Sequence, residues 1–231
     1  MKIGVLQTGY VPETLSEEFG EYPQMFSELL SGNGFVYETY PVVENQFPIS
    51  TDECDGWIVT GSRHGAYEDH EWIPPLEDFI RAVYAKGVPI VGICFGHQIM
   101  AQALGGKVEK FGGLWGVGKQ VYAHPDGSSS TLLAMHQDQV VELPPDASVM
   151  ATSDFCKYAG LSYKGKAMSL QPHPEFTPEF MDALIRARAG TAIPNDQALP
   201  ALEDVFGVND ANGFAKMIAG FFKASLAEEA A

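Results

Sequence analysis

The run Val88-Pro-Ile-Val-Gly-Ile-Cys-Phe-Gly-His-Gln98 constrains this chain more than any other stretch. Its apolar, β-branched first half reads as a buried strand, and it gives way to a helix-forming half at a cysteine. Gly92 and Gly96 stand two residues either side of Cys94, where side chains would clash in a sharp strand-to-helix turn. Such a turn is a nucleophile elbow with sulfur in place of the usual serine oxygen. It holds the thiol clear of the sheet, at the positive end of a helix expected over 97–104, and that position favours thiolate. A core cysteine needs no glycine on each side.

The elbow implies an α/β fold, and the rest of the chain agrees. Runs 2–7, 35–40, 56–60 and 88–93 read as strands, with helices over 23–30 and 75–86 between them. Alternation of this kind gives a mostly parallel sheet with helices on both faces. Ligands of such sheets lie at the carboxyl ends of the strands. Cys94, the loop after Gln7 and the loop beginning at Gly61 therefore converge on one cleft. After Gly105-Gly106 the pattern changes to strands at 107–110, 117–123, 148–152 and 167–170, read as an antiparallel extension and the final sheet strands. Helices are expected over 178–189, 199–205 and 211–227, with 190–196 a loop. A single domain is expected over 1–231, with a catalytic core over about 1–180 and a helical extension over about 181–231.

A formal charge of −16 argues against nucleic acid or an anionic membrane as partner. Cys54, Cys94 and Cys156 are widely spaced without a CxxC, so neither a disulfide framework nor zinc is suggested. Cys54 and Cys156 are read as inert. The opening Met-Lys-Ile-Gly-Val-Leu-Gln is too short an apolar stretch for a signal peptide, and no run is long enough to span a bilayer. The reducing cytoplasm is the expected location.

A thiol that attacks an acyl group needs a base to take its proton and return it to the leaving group. His173 is the best candidate, because it stands in Gln171-Pro-His-Pro-Glu175 after the apolar run 167–170. The two prolines push their neighbours into extended conformations. Residues two apart then point to the same side, so the Glu175 carboxylate can reach one imidazole nitrogen while the other faces Cys94. Cys94, His173 and Glu175 would be nucleophile, base and orienter.

Gly92-Ile-Cys-Phe-Gly-His-Gln98 together with His173-Pro-Glu175 resembles the class I glutamine amidotransferases, in their GMP-synthase-like branch, and is similar to the γ-glutamyl peptidases. The resemblance runs over about 2–180. It implies a flavodoxin-like three-layer sandwich, no cofactor and no metal, and cleavage of a γ-glutamyl amide through a γ-glutamyl thioester on Cys94. The ligand would be glutamine or a γ-glutamyl compound. By position, Gly61 and Phe95 would supply the oxyanion-hole N–H groups. Gln98 and Ser62 would contact substrate, and His136, Gln137 and Asp138 would help hold its amino-acid end. Many relatives have Gly-Gly-Pro where this chain has Gly61-Ser-Arg63. Arg63 could pair with a substrate carboxylate; the reading preferred is that it balances Glu68, Asp69 and Glu71.

Other signals are set aside. Gly113-Leu-Trp-Gly-Val-Gly-Lys119 has P-loop spacing, but Gln120 follows and the next residues are β-like; Trp115 is a candidate for lining the pocket. The spacing of His64, Asp69, His70 and Glu71 fits no metal template. His97 is expected to pack or cap, since adjacent helical positions diverge by about 100°.

The chain has no room for an ATP-pyrophosphatase domain and no Ser-Gly-Gly-x-Asp-Ser motif. It is read either as a glutaminase awaiting a synthase or acceptor subunit, or as an independent γ-glutamyl hydrolase. A rival of another class is a flavodoxin-like redox sensor or chaperone with an elbow cysteine, but that leaves Gln98 and His173-Pro-Glu175 without a purpose.

Overall fold

A computed structural model describes residues 1–229, so the last two positions of the expected extension lie outside the described residues. The first half alternates as β1 (Lys2–Leu6), α1 (Glu13–Phe19), α2 (Tyr22–Leu29), β2 (Val36–Tyr40), β3 (Gly56–Val59), α3 (Ile73–Lys86), β4 (Ile90–Ile93) and α4 (Phe95–Ala103). The second half brings β5 (Lys107–Lys110), β6 (Gly116–Ala123), β7 (Ser129–His136), β8 (Asp138–Glu142), β9 (Ala147–Ala151), β10 (Gly160–Tyr163) and β11 (Ala167–Leu170). The chain ends in α5 (Pro178–Arg188), α6 (Asn195–Glu203) and α7 (Ala211–Glu229).

Seven strands form the central sheet in the order β2-β1-β3-β4-β11-β10-β9. The first five are parallel, while β10 and β9 extend the edge antiparallel. This is the mostly parallel α/β sheet the sequence implies. The remaining strands pair antiparallel as β5–β8 and β6–β7.

The buried strands pack on both faces, and their alternation sets the layers. Trp57 and Val59 face Leu76 and Ile80 of α3 and Ile99 of α4. Ile58 points the other way, with Ile3, Val91 and Ile93, onto Phe26 of α2 and Ile218 and Phe222 of α7. A third cluster, with Met181, Leu184 and Ile185 of α5, joins Met25 of α2 to Val117 of β6 and Leu133 of β7. Among the described residues, no helix is long and apolar enough to cross a membrane.

Several elements differ from expectation. Helix α1 buries none of its residues, so it carries no apolar stripe by which to be read. In β7 three successive residues, Leu132–Ala134, are buried, which erases the period-two signal. Strands β8 and β10 are five and four residues long and were likewise not anticipated. Helix α6 begins at Asn195, earlier than the helix expected over 199–205 and inside the expected loop. The Gln197 side chain pins that early start by donating to the Gly113 carbonyl at 3.0 Å and accepting from the Trp115 N–H at 2.8 Å.

Candidate active site

The elbow is strained, as its geometry requires. Cys94 has φ 54° and ψ −102°, a conformation that costs a non-glycine residue about 1–3 kcal/mol. The surroundings enforce it. The Cys94 N–H donates to Leu170 at 2.8 Å, the Gly96 N–H to Thr60 at 3.1 Å and the Gln98 N–H to the Cys94 carbonyl at 3.1 Å. A Cβ on Gly92 would overlap the Gly96 carbonyl, and one on Gly96 would overlap the Val59 carbonyl. Helix α4 starts immediately after Cys94, two residues earlier than expected, so the thiol sits at the helix N-terminus itself.

Pairing of β4 with β11 explains what the thiol meets. Ile93 and Leu170 are register partners at the ends of adjacent parallel strands, so the segment after β11 passes beside the elbow. His173 is fixed there by its N–H to Leu133 at 2.8 Å. Its Nδ1 lies 2.7 Å from a Glu175 carboxylate oxygen, and both side chains are buried. The ring stacks on Phe176 at 3.9 Å and 6°, and Phe176 stacks in turn on Tyr22. Burial by itself disfavours the imidazolium, but the Glu175 carboxylate and the Cys94 sulfur outweigh it and raise His173 to about 10. Cys94, His173 and Glu175 are thus brought together.

Cys94 and His173 line a cavity of about 320 Å³, within the usual size range of small-molecule sites. Gly61 is pressed against both. A Cβ there would come 3.0 Å from His173 Cε1 and 3.8 Å from Cys94 Cβ. The Thr8 hydroxyl ties down this loop by donating to Gly61 O at 3.0 Å, and the Thr8 N–H donates to Thr60 Oγ1 at 3.0 Å. Phe95 carries the first N–H of α4, which by position has no intrahelical acceptor.

The other expected substrate contacts also line the cavity, though several have structural work as well. Ser62 donates to the Thr8 carbonyl at 2.7 Å and accepts from the His64 N–H at 3.2 Å, bracing the loop. Gln98 Nε2 donates to the Asp138 carbonyl at 2.8 Å and to Gln171 at 3.1 Å. His136 Nδ1 meets the same carbonyl at 3.2 Å, and burial lowers this histidine to about 4, so it is neutral. Gln137 and Asp138 complete this wall, and burial raises the Asp138 carboxyl, opposed by Tyr67 and Lys110.

Arg63, expected to balance Glu68, Asp69 and Glu71, forms no ion pair with any of them among the described residues; Glu68 is held instead by His64 at 3.3 Å and His70 at 2.7 Å. Those three side chains bring their potential ligand atoms within 4.8 Å of one another, a grouping that leaves out Asp69 and Glu71. His97 turns away from the thiol, its Nδ1 2.8 Å from the Ser169 hydroxyl, and complete burial lowers it to about 3. The rejected P-loop run enters β6, and Trp115 lines the cavity.

Sequence reasoning missed Tyr22, Tyr67, Lys110, Phe176 and Arg188, all of which line the cavity. Arg188 left a readable signal. Arg186 has Asp182 four residues back and bonds it at 2.7 Å, whereas Arg188 has Leu184 there and Ile185 three back. No acidic partner stands within reach on its own helix.

A thiol on a strained strand-to-helix turn thus stands beside a buried imidazole–carboxylate pair in a walled cavity. Comparison with known proteins gives the family. The family profile "Glutamine amidotransferase class-I" matches residues 24–189. Gamma-glutamyl peptidase 4 of Arabidopsis thaliana is 30% identical over 202 residues, covering 80% of each chain. The glutamine-hydrolysing GMP synthase of Burkholderia mallei is 38% identical over 138 residues, covering 53% of this chain and 25% of that one. The fold matches a glutamine amidotransferase structure from Methylobacillus flagellatus with a TM-score of 0.78, at 19% identity, covering 98% of this chain and 94% of that one. The chain belongs to the class I glutamine amidotransferase family.

Proposed function

We propose that this protein hydrolyses a γ-glutamyl amide bond through a γ-glutamyl thioester on Cys94. The observation that carries the reading is the buried His173–Glu175 pair, 2.7 Å apart, on the wall that also holds the strained Cys94. Cys94 sulfur attacks the γ-carbonyl carbon, and the carbonyl oxygen takes the negative charge. Backbone N–H groups of Gly61 and Phe95 receive that oxyanion. Collapse breaks the C–N bond, and the His173 imidazolium gives its proton to the departing nitrogen. Water then attacks the thioester as His173 takes its proton, which frees glutamate and restores the thiolate. Glu175 keeps Nδ1 protonated and the ring oriented throughout. Asp138 and Glu68 supply negative charge for the substrate ammonium, and Gln98 and His136 hold the Asp138 carbonyl in place.

A free-standing hydrolase is the preferred form over an ammonia donor to a synthase subunit. Likeness to a γ-glutamyl peptidase over 80% of both chains supports it, as does a second cavity adjoining the first through Arg63, His64 and Arg188. Three free, buried cysteines suit a reducing cytoplasm. The test is glutamate release by the purified chain, offered glutamine and a γ-glutamyl peptide side by side. Rapid release from the peptide that vanishes in Cys94→Ala is expected; equal release by Cys94→Ala would end the reading.

A further inference from the structure

The chain carries 30 Asp and Glu against 14 Lys and Arg, so an arginine here has carboxylates in excess to pair with. Two of its arginines do pair, Arg81 with Glu77 and Asp78 and Arg186 with Asp182, each within its own helix. Arg63 and Arg188 pair with no carboxylate among the described residues, and these two line the catalytic cavity. Both also line the second cavity, of about 440 Å³, together with Gly9–Pro12 of the loop after β1 and with Glu13 and Thr14 at the start of α1. They stand where the two spaces join.

Arg188 is built into that position. Its carbonyl accepts from the Thr191 hydroxyl at 2.9 Å, the Ile193 N–H at 3.1 Å and the Thr191 N–H at 3.2 Å, which fixes the chain reversal after α5. Its Nε is buried and has no hydrogen-bond partner among the described residues. A buried donor on a permanent cation is costly to leave unmet. Guanidinium groups bind carboxylates through two parallel N–H···O bonds. An anion at the junction would meet both this need and the absent ion pairs.

We propose that Arg63 and Arg188 form a carboxylate site for the leaving group of the substrate, so that the preferred substrate is a γ-glutamyl peptide with a free C-terminal carboxylate. The proposal rests on the γ-glutamyl hydrolase reading above and narrows its substrate class. The glutamyl part occupies the first cavity, against Cys94 and Asp138. The residues attached through the γ-amide nitrogen pass between the two arginines toward the second cavity, and their terminal carboxylate is held there. Glutamine has no second carboxylate and leaves this site unused.

Binding to the Cys94→Ala chain tests the site apart from turnover. The probes are γ-glutamylalanylglycine, which has no thiol, and its C-terminal amide, measured by calorimetry. The acid is expected to bind roughly tenfold or more tighter than the amide, as a two-point guanidinium–carboxylate pair provides. Arg188→Gln should bring the acid-to-amide ratio close to one. Arg188→Lys, which keeps charge but loses the fork, should fall between, and Arg63→Gln, altering an exposed loop side chain, serves if Arg188→Gln fails to fold. Equal binding of acid and amide, no binding of either, or a ratio that survives both glutamine variants would overturn the proposal. Discrimination without glutamate release from the intact chain would sink the hydrolase reading and leave the carboxylate site. Release without discrimination would do the reverse.

Discussion

Replacing Glu175 by glutamine keeps the shape of the orienter and removes its charge. Wild-type His173 stands near 10 because the Glu175 carboxylate and the Cys94 sulfur overcome burial. The carboxylate oxygen is 2.7 Å from Nδ1, and the two side chains are 4% and 0% exposed, so water screens little of the attraction. Loss of a contacting charge lowers such a group by about 1–3 pH units, or about 1.4–4 kcal/mol of preference for the imidazolium. The basic limb of kcat/KM, expected near pH 10 in the wild type, should therefore fall to roughly pH 7–9. At pH 10, where the wild type is itself half protonated at His173, the variant should be slower by about 5- to 500-fold, with a much smaller loss at pH 6. Stability gives a second readout. Glu175 Oε2 has no hydrogen-bond partner among the described residues, so the glutamine NH₂ finds no acceptor there, at a cost of about 1–3 kcal/mol. The assay is glutamate release from a γ-glutamyl peptide between pH 5 and 11, with thermal midpoints measured alongside. A basic limb that stays near pH 10 in Glu175→Gln would refute the argument that this carboxylate holds His173 charged.

Wild-type stability should show the same linkage. His173 is raised on folding, so its contribution is complete below its unfolded value near 6.5 and is lost as pH climbs through about 10. His97 and His136 are lowered, to about 3 and about 4, so their contribution is present above 6.5 and lost as pH falls toward those values. Denaturant titrations should show an acid-side slope that His97→Asn reduces by up to about 1.4 kcal/mol per pH unit; an unaltered slope would exclude His97 as its source. At the elbow, Cys94→Gly should be about 1 kcal/mol more stable than Cys94→Ala, since only glycine tolerates φ 54° without strain. Both variants should release no glutamate, and an alanine variant as stable as the glycine one would show the turn to be unstrained. Gly96→Ala drives a methyl into the Val59 carbonyl and should cost at least about 1–3 kcal/mol in chemical denaturation; a cost under half of that would mean the elbow can relax.

What could be read from the sequence and what could not divide along the range of the forces involved. The elbow was legible because its cause is local. Two glycines at fixed spacing around Cys94 answer backbone clashes with Gly96 and Val59 that any strand-to-helix turn this sharp creates. His173 and Glu175 were legible for the same reason, since prolines on either side of His173 dictate an extended segment. The alternation of β1 through α4 carried the parallel sheet. Tertiary structure alone decided the rest. Strand β7, with Leu132–Ala134 buried in succession, has no periodicity to read, and its hydrogen bond to His173 comes from a distant segment. Tyr22 joins the site by stacking on Phe176, 154 residues further along the chain, and Phe176 in turn stacks on His173. The composition showed only an excess of acid over which every arginine could have been neutralised. Which arginines went unpaired depended on where α5 ended and which cavity it faced, and the spacing of charges along a chain does not encode distances between its folded surfaces.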